Sequence, residues 1–178
     1  KLNSNVTTEF SRSKKLIKYP RVALTSDAET GSGYQGYFVS SSSNYSATYT
    51  SYKAFNAKYG YSTSADIWYC LDYPVPEVYS GTDYAFNPSH GGTATPDLFT
   101  GAVQGEWLKI QLPDKIALDR YILTGPSQEN EFPRDWTVYG SVNGTNWDLI
   151  DSQVSQIFGD GTGGGGTATG KKKEFYLD

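Results

Sequence analysis

The sequence predicts a loop-rich, all-β domain, and three observations carry that prediction. First, only 19% of the 178 residues are charged, while 19 Gly and 15 Tyr stand among abundant Ser, Thr and Asn. This is the balance of short strands and long connections rather than of amphipathic helices. Second, Glu106-Trp107-Leu108-Lys109-Ile110-Gln111-Leu112 alternates strictly, with Leu108, Ile110 and Leu112 on one face and Lys109 and Gln111 on the other. That period of two belongs to a half-buried strand. Third, Asn143-Gly144 separates two strand-like runs and supplies the positive φ angles of a tight hairpin. A chain of this length buries roughly 70% of its unfolded surface, enough for one core.

Taken in order, residues 1–18 hold the basic run Lys14-Lys15-Leu16-Ile17-Lys18 without a clear period, and are expected to be an arm or linker ahead of a domain spanning 19–178. Arg21-Val22-Ala23-Leu24-Thr25 alternates as a strand does, and 27–36 is punctuated by Gly and Ser as a loop is. Ser, Tyr, Thr and Asn fill most of 39–52, and Tyr52-Lys53-Ala54-Phe55-Asn56 has the spacing of one helical turn. Residues 66–72 contain the apolar run Ile67-Trp68-Tyr69-Cys70-Leu71, whose continuity predicts a strand buried on both faces. A long irregular excursion with scattered Pro and Gly follows at 73–105; loops of that length serve a function or lie flat on their domain.

The second half is more regular. After the strand at 106–112, Pro113-Asp114 turns the chain into 115–125, where Ile116 and Leu118 share a face but Tyr121 and Leu123 fall out of phase. A bulge near Asp119-Arg120 absorbs the extra residue. Residues 126–133 read as a polar loop, 135–142 as a strand with Trp136, Val138 and Gly140 on one side, and 147–151 as its hairpin partner. The Gly-rich stretch 159–170 reads as a mobile connection to a last strand at 173–177.

Several function classes are disfavoured. A net charge of −4 gives no electrostatic reason to bind nucleic acid. No apolar run approaches the roughly 18 residues of a membrane span, so direct membrane insertion is not expected. With one cysteine, Cys70, and one histidine, His90, neither an internal disulfide nor a Cys/His zinc cluster can be assembled, and Cys70 reads as a small buried hydrophobe. The chain starts at Lys1 and contains no Met, which predicts a processed product or an excised fragment.

The order Gly36-Tyr37-Phe38-Val39-Ser40-Ser41-Ser42, then Tyr52-Lys53-Ala54-Phe55-Asn56, then Trp68 resembles the opening half of a discoidin domain, the coagulation factor V/VIII type C domain. The strand at 106–112, Phe132-Pro133-Arg134-Asp135-Trp136-Thr137-Val138-Tyr139-Gly140-Ser141, and Asn143-Gly144-Thr145-Asn146-Trp147 resemble that family's central strands and hairpin. The resemblance covers about 19–177. It implies an antiparallel jelly-roll β-sandwich of the galactose-binding-like kind, whose loops at one end bind sugars, lipids or proteins. Many members are carbohydrate-binding or adhesion modules, some of them on viral surfaces. Three departures stand out: Asn56 and Asn143 replace the family's Asp, the terminal disulfide is missing, and the chain stops at Asp178 before the closing strands. The expectation is a sandwich completed by another chain, by residues 1–18, or by sequence cut away.

Sugar recognition needs flat rings against C–H faces and orientable polar groups, and Tyr, Ser and Asn meet both needs at low entropic cost. Tyr45, Tyr49 and Tyr52 in the first loop are therefore candidate ligand contacts. So are Asn130, Glu131, Phe132 and Arg134 in the loop 127–135, where a guanidinium can fork onto vicinal hydroxyls or a carboxylate; the plain alternative pairs Arg134 with Asp135 or Glu131. His90 is a further candidate. The resemblance also implies a structural calcium at Asn56 and Asp66, with carbonyls near Lys53 and Tyr59, since hard cations take oxygen ligands. Asn5, Asn44 and Asn143 open N-glycosylation triplets, in keeping with a secreted or virion-surface glycoprotein. Glu129 and Glu131 share one exposed loop with nothing to split their pKa values, so no enzyme is expected. The leading expectation is a non-catalytic module that binds a glycan or glycoprotein on an extracellular or virion surface. The alternative is a structural component of a capsid, fibre or surface layer acting through protein–protein contacts.

Overall fold

The computed structural model describes residues 16–28, 36–58, 66–70, 106–125, 132–158 and 172–177. The expectations for 1–15, 29–35, 59–65, 71–105, 126–131 and 159–171, the Tyr59 carbonyl among them, lie outside these described residues. Among the described residues the regular structure is antiparallel β with one 3₁₀ helix, in keeping with the all-β expectation. Strands β1 (Phe38–Ser41) and β2 (Leu108–Gln111) pair with each other, as do β3 (Arg120–Thr124) with β6 (Lys172–Tyr176), and β4 (Trp136–Gly140) with β5 (Asp148–Gln153). The 3₁₀ helix spans Ser51–Phe55, at the predicted helical turn.

The β1–β2 pair explains the first core. Phe38 faces Gln111 and Val39 faces Ile110 across the ladder, so the period of two turns Val39 inward and leaves Phe38 exposed. Leu24, Tyr37 and Val39 are buried, with Tyr19, Tyr52, Phe55, Leu108, Ile110 and Leu112 packed around them. The predicted inward face of β2 is thus the observed one. Residues 21–25, expected as a strand, form none. Arg21 donates its N–H to the Tyr37 hydroxyl at 3.2 Å and Leu24 donates to the Phe55 carbonyl at 3.1 Å, so the backbone is bound to a side chain and a helix end rather than to a ladder. The nearby bridge is Ala28 with Phe38. Tyr19-Pro20 is a cis peptide.

The remaining four strands meet in an aromatic seam. Tyr121 of β3 stacks on Phe175 of β6, with centroids 4.9 Å apart, and Trp136 of β4 stands edge-on to Phe175 at 5.1 Å. The Trp136 Nε1–H donates to the Tyr121 hydroxyl at 2.9 Å, which in turn donates to Asp151 of β5 at 2.5 Å. Buried Phe158 continues the seam beside Trp136 and Phe132. The Asp119-Arg120 bulge is not observed: β3 begins at Arg120, beyond an irregular stretch, in phase with its Tyr121–Phe175 stack. The register shift lies between Val138 and Tyr139 of β4. Residues 66–70 carry no strand and are half-buried rather than buried. Their run of large rings packs against a loop, as described next.

Candidate functional site

The loop after β1 is built from its own hydroxyls. The Ser41 Oγ lies 2.8 Å from the Ser51 Oγ and donates toward the Ser43 carbonyl at 2.9 Å, so the start of the 3₁₀ helix is tied to the end of β1. Between them, Tyr49 donates its N–H to the Ser46 carbonyl at 3.0 Å and Thr48 to the Ser46 hydroxyl at 3.2 Å; Ser favours such local turns. The Lys53 ammonium reaches back to the Thr48 carbonyl.

Two other segments fasten this loop. Tyr45 donates its N–H to the Tyr69 carbonyl at 2.8 Å, and the Trp68 indole N–H donates to the Ser43 carbonyl at 3.1 Å. On the other side, Ser42 donates its N–H to the Trp107 carbonyl at 3.0 Å, and the Trp107 N–H returns to the Ser42 hydroxyl at 2.9 Å. The Glu106 carboxylate accepts from the hydroxyls of both Ser42 and Ser43, the latter at 2.8 Å.

The result is a cluster of three tyrosine rings. Tyr45 lies 5.8 Å from Tyr49 and 5.5 Å from Tyr69, edge-on to each at 77° and 74°, and Tyr49 and Tyr69 are 6.0 Å apart. Edge-to-face packing of this kind is favourable in its own right. Tyr45 is 43% exposed, so it presents a ring to solvent while two neighbours hold it. An exposed ring held in this way can take an apolar C–H surface against its face.

The sequence candidates divide around this cluster. Tyr45 and Tyr49 lie within it. Tyr52 turns the other way, packs against the Leu24–Tyr37–Val39 core, and donates its N–H to the Asp27 carboxylate at 2.7 Å. Phe132, expected as a stacking surface for ligand, is stacked instead on Phe158, with centroids 4.2 Å apart. Arg134 is exposed at the foot of β4, with its guanidinium 3.8 Å from the Asp135 carboxylate and 3.4 Å from the Ser155 hydroxyl. That is the plain pairing weighed for it. His90, Asn130, Glu131 and Asn5 lie outside the described residues, as does the Glu129–Glu131 pair. Of the other two glycosylation triplets, Asn44 is exposed in the loop, with its Oδ1 3.1 Å from the Ser41 hydroxyl oxygen, and Asn143 is exposed at the hairpin tip.

Sequence reasoning missed Tyr69, Trp68 and Glu106. Tyr69 and Trp68 sat in an apolar run that resembled a doubly buried strand. Glu106 was visible as the polar start of the strand expected at 106–112, but its serine partners lie more than sixty residues away in the chain. Asn56 is buried at the end of the 3₁₀ helix, where its Oδ1 accepts the Lys58 N–H at 2.9 Å. The Asp66 carboxylate pairs with the Lys58 ammonium at 3.1 Å. Among the described residues, no group of three or more His, Cys, Asp or Glu is placed to hold a metal ion, and no helix is long and apolar enough to cross a membrane. Comparison with family models, curated proteins and solved structures finds no match to this chain.

Proposed function

We propose that this chain is a discoidin-like, jelly-roll module that binds carbohydrate without catalysis and is displayed on an extracellular or virion surface. The observation that carries the reading is the Tyr45–Tyr49–Tyr69 ring cluster, with Tyr45 exposed on a loop that hydrogen bonds fasten to two other segments. The rings are held by one another and by backbone hydrogen bonds, so little ordering remains to be done when a sugar arrives. One such site is weak, and useful affinity comes from many copies on one assembly.

The test is a glycan array with the intact chain and with Tyr45→Ala. Saturable binding is expected, with at least a tenfold loss in the variant, about 1.4 kcal/mol. Tm should stay within a few degrees, because Tyr45 is partly exposed and outside the core. An array on which the intact chain binds nothing overturns the reading.

A second reading, a structural component of a capsid, fibre or surface layer, is favoured by the apolar side chains around the β4–β5 hairpin. Val142, Leu149, Val154 and Ile157 are 60–74% exposed, and such surfaces mark protein contacts when contiguous. Concentration-dependent association by light scattering, without sugar binding, selects this reading over the first.

A further inference from the structure

The turn that leaves the 3₁₀ helix is where the discoidin resemblance implies calcium, and its described residues do not fit a divalent ion. Calcium is held by about six to eight oxygens, carboxylates prominent among them. Position 56 is a neutral Asn whose Oδ1 already accepts the Lys58 N–H. The Asp66 carboxylate faces the Lys58 ammonium at 3.1 Å, in a pair whose lysine side chain is 65% exposed, so a positive charge stands near it from the solvent side.

The backbone between these residues is unusual. Ala57 has φ +57°, in the left-handed region that residues with a Cβ seldom occupy. Such outliers persist where the surroundings over-determine them. Here the surroundings are the buried Asn56 side chain, which holds the Lys58 N–H two residues on; beyond it the Lys58 side chain, 65% exposed, extends across to Asp66. Cap, turn and ion pair converge on Lys58.

We propose that Lys58 is a built-in cation: its ammonium holds Asp66 to the end of the 3₁₀ helix in the role of a structural metal ion, and the domain folds without calcium. The inference is independent of what the tyrosine cluster binds.

Thermal unfolding of the intact chain in EDTA and in millimolar calcium tests it, alongside Lys58→Asp and Lys58→Glu. Ligand-linked stabilisation makes Tm rise with the concentration of any ion that binds the folded state. The expected result is an unchanged Tm for the natural chain, within about 1 °C. At least one acidic variant, having two carboxylates beside Asn56, is expected to be less stable in EDTA and to regain Tm saturably with calcium. A saturable calcium-dependent rise in the natural chain overturns the proposal. So does indifference to calcium in both acidic variants, because Lys58 then does not stand at a cation position. Two carboxylate side chains of different length are used so that a poor fit of one does not decide the outcome.

Discussion

Gly125 and Phe132 show how much one atom can matter here. A Cβ on Gly125 would fall on the Phe132 ring, which is stacked on buried Phe158. Gly125→Ala is therefore expected to displace the ring and cost roughly 1–3 kcal/mol in urea unfolding. Adding Phe132→Ala should make the two costs clearly non-additive, since the clash disappears with the ring. The sequence put Phe132 on a ligand-facing loop because it adjoins Arg134 and polar residues. Which way a ring points depends on a partner such as Phe158, and no local pattern announces that partner. Tyr52 packs toward the core for a like reason: it lies on the helix side that meets Leu24, a partner its neighbours Thr50 and Ser51 do not announce.

Among elements, the β4–β5 hairpin was the most legible, and its turn was only half right. Strand positions at 135–142 and 147–151 match β4 and β5 closely, but the loop from Ser141 to Trp147 is longer than a two-residue turn. Only Gly144, at φ +74°, takes a left-handed conformation there. The Asn143 Oδ1 accepts N–H groups from Thr145 and Asn146, both at 2.9 Å, and the Ser141 hydroxyl accepts from Gly144 at 2.8 Å. Asn143 thus contributes an acceptor rather than a positive φ, a second use of the same residue type in turns. Gly144→Ala meets no atom within 4 Å, so its expected cost of about 1–2 kcal/mol is the backbone penalty alone. Amide exchange across the Tyr139–Leu149 pair should show the ladder intact in that variant. By contrast, β1 escaped notice because Phe38-Val39-Ser40-Ser41 has one inward apolar residue and becomes a strand through its partner β2. Residues 21–25 alternate well and still pair with no strand.

At the scale of the whole molecule, Tyr121 joins the β3–β6 pair to the β4–β5 pair. Burial first, and then the hydrogen bond to Asp151, push its hydroxyl up to about 12 from the ordinary 10.0. The Tyr121 hydroxyl, followed by the Gln153 amide, holds the Asp151 carboxyl below its ordinary 3.8. The Tyr121 contribution is full below pH 10 and is lost as pH rises toward about 12, where the unfolded chain has already released the proton. The Asp151 contribution is present above 3.8 and is lost as pH falls through its lowered value. Urea unfolding across pH should show stability declining on both sides. Tyr121→Phe should flatten both limbs and cost about 1–3 kcal/mol at neutral pH, because the Trp136 indole N–H loses its acceptor. The all-β class was legible from composition and alternation, yet this seam was not. It gathers residues from β3, β4, β5 and β6, which no periodicity relates. The tyrosine cluster has the same character, because Tyr69 comes to Tyr45 and Tyr49 from a separate stretch of chain. It is a discontinuous epitope: a synthetic peptide spanning 41–52 would carry two of the three phenols and lack the arrangement, and antibodies raised against that peptide would have no reason to recognise the native protein at this spot.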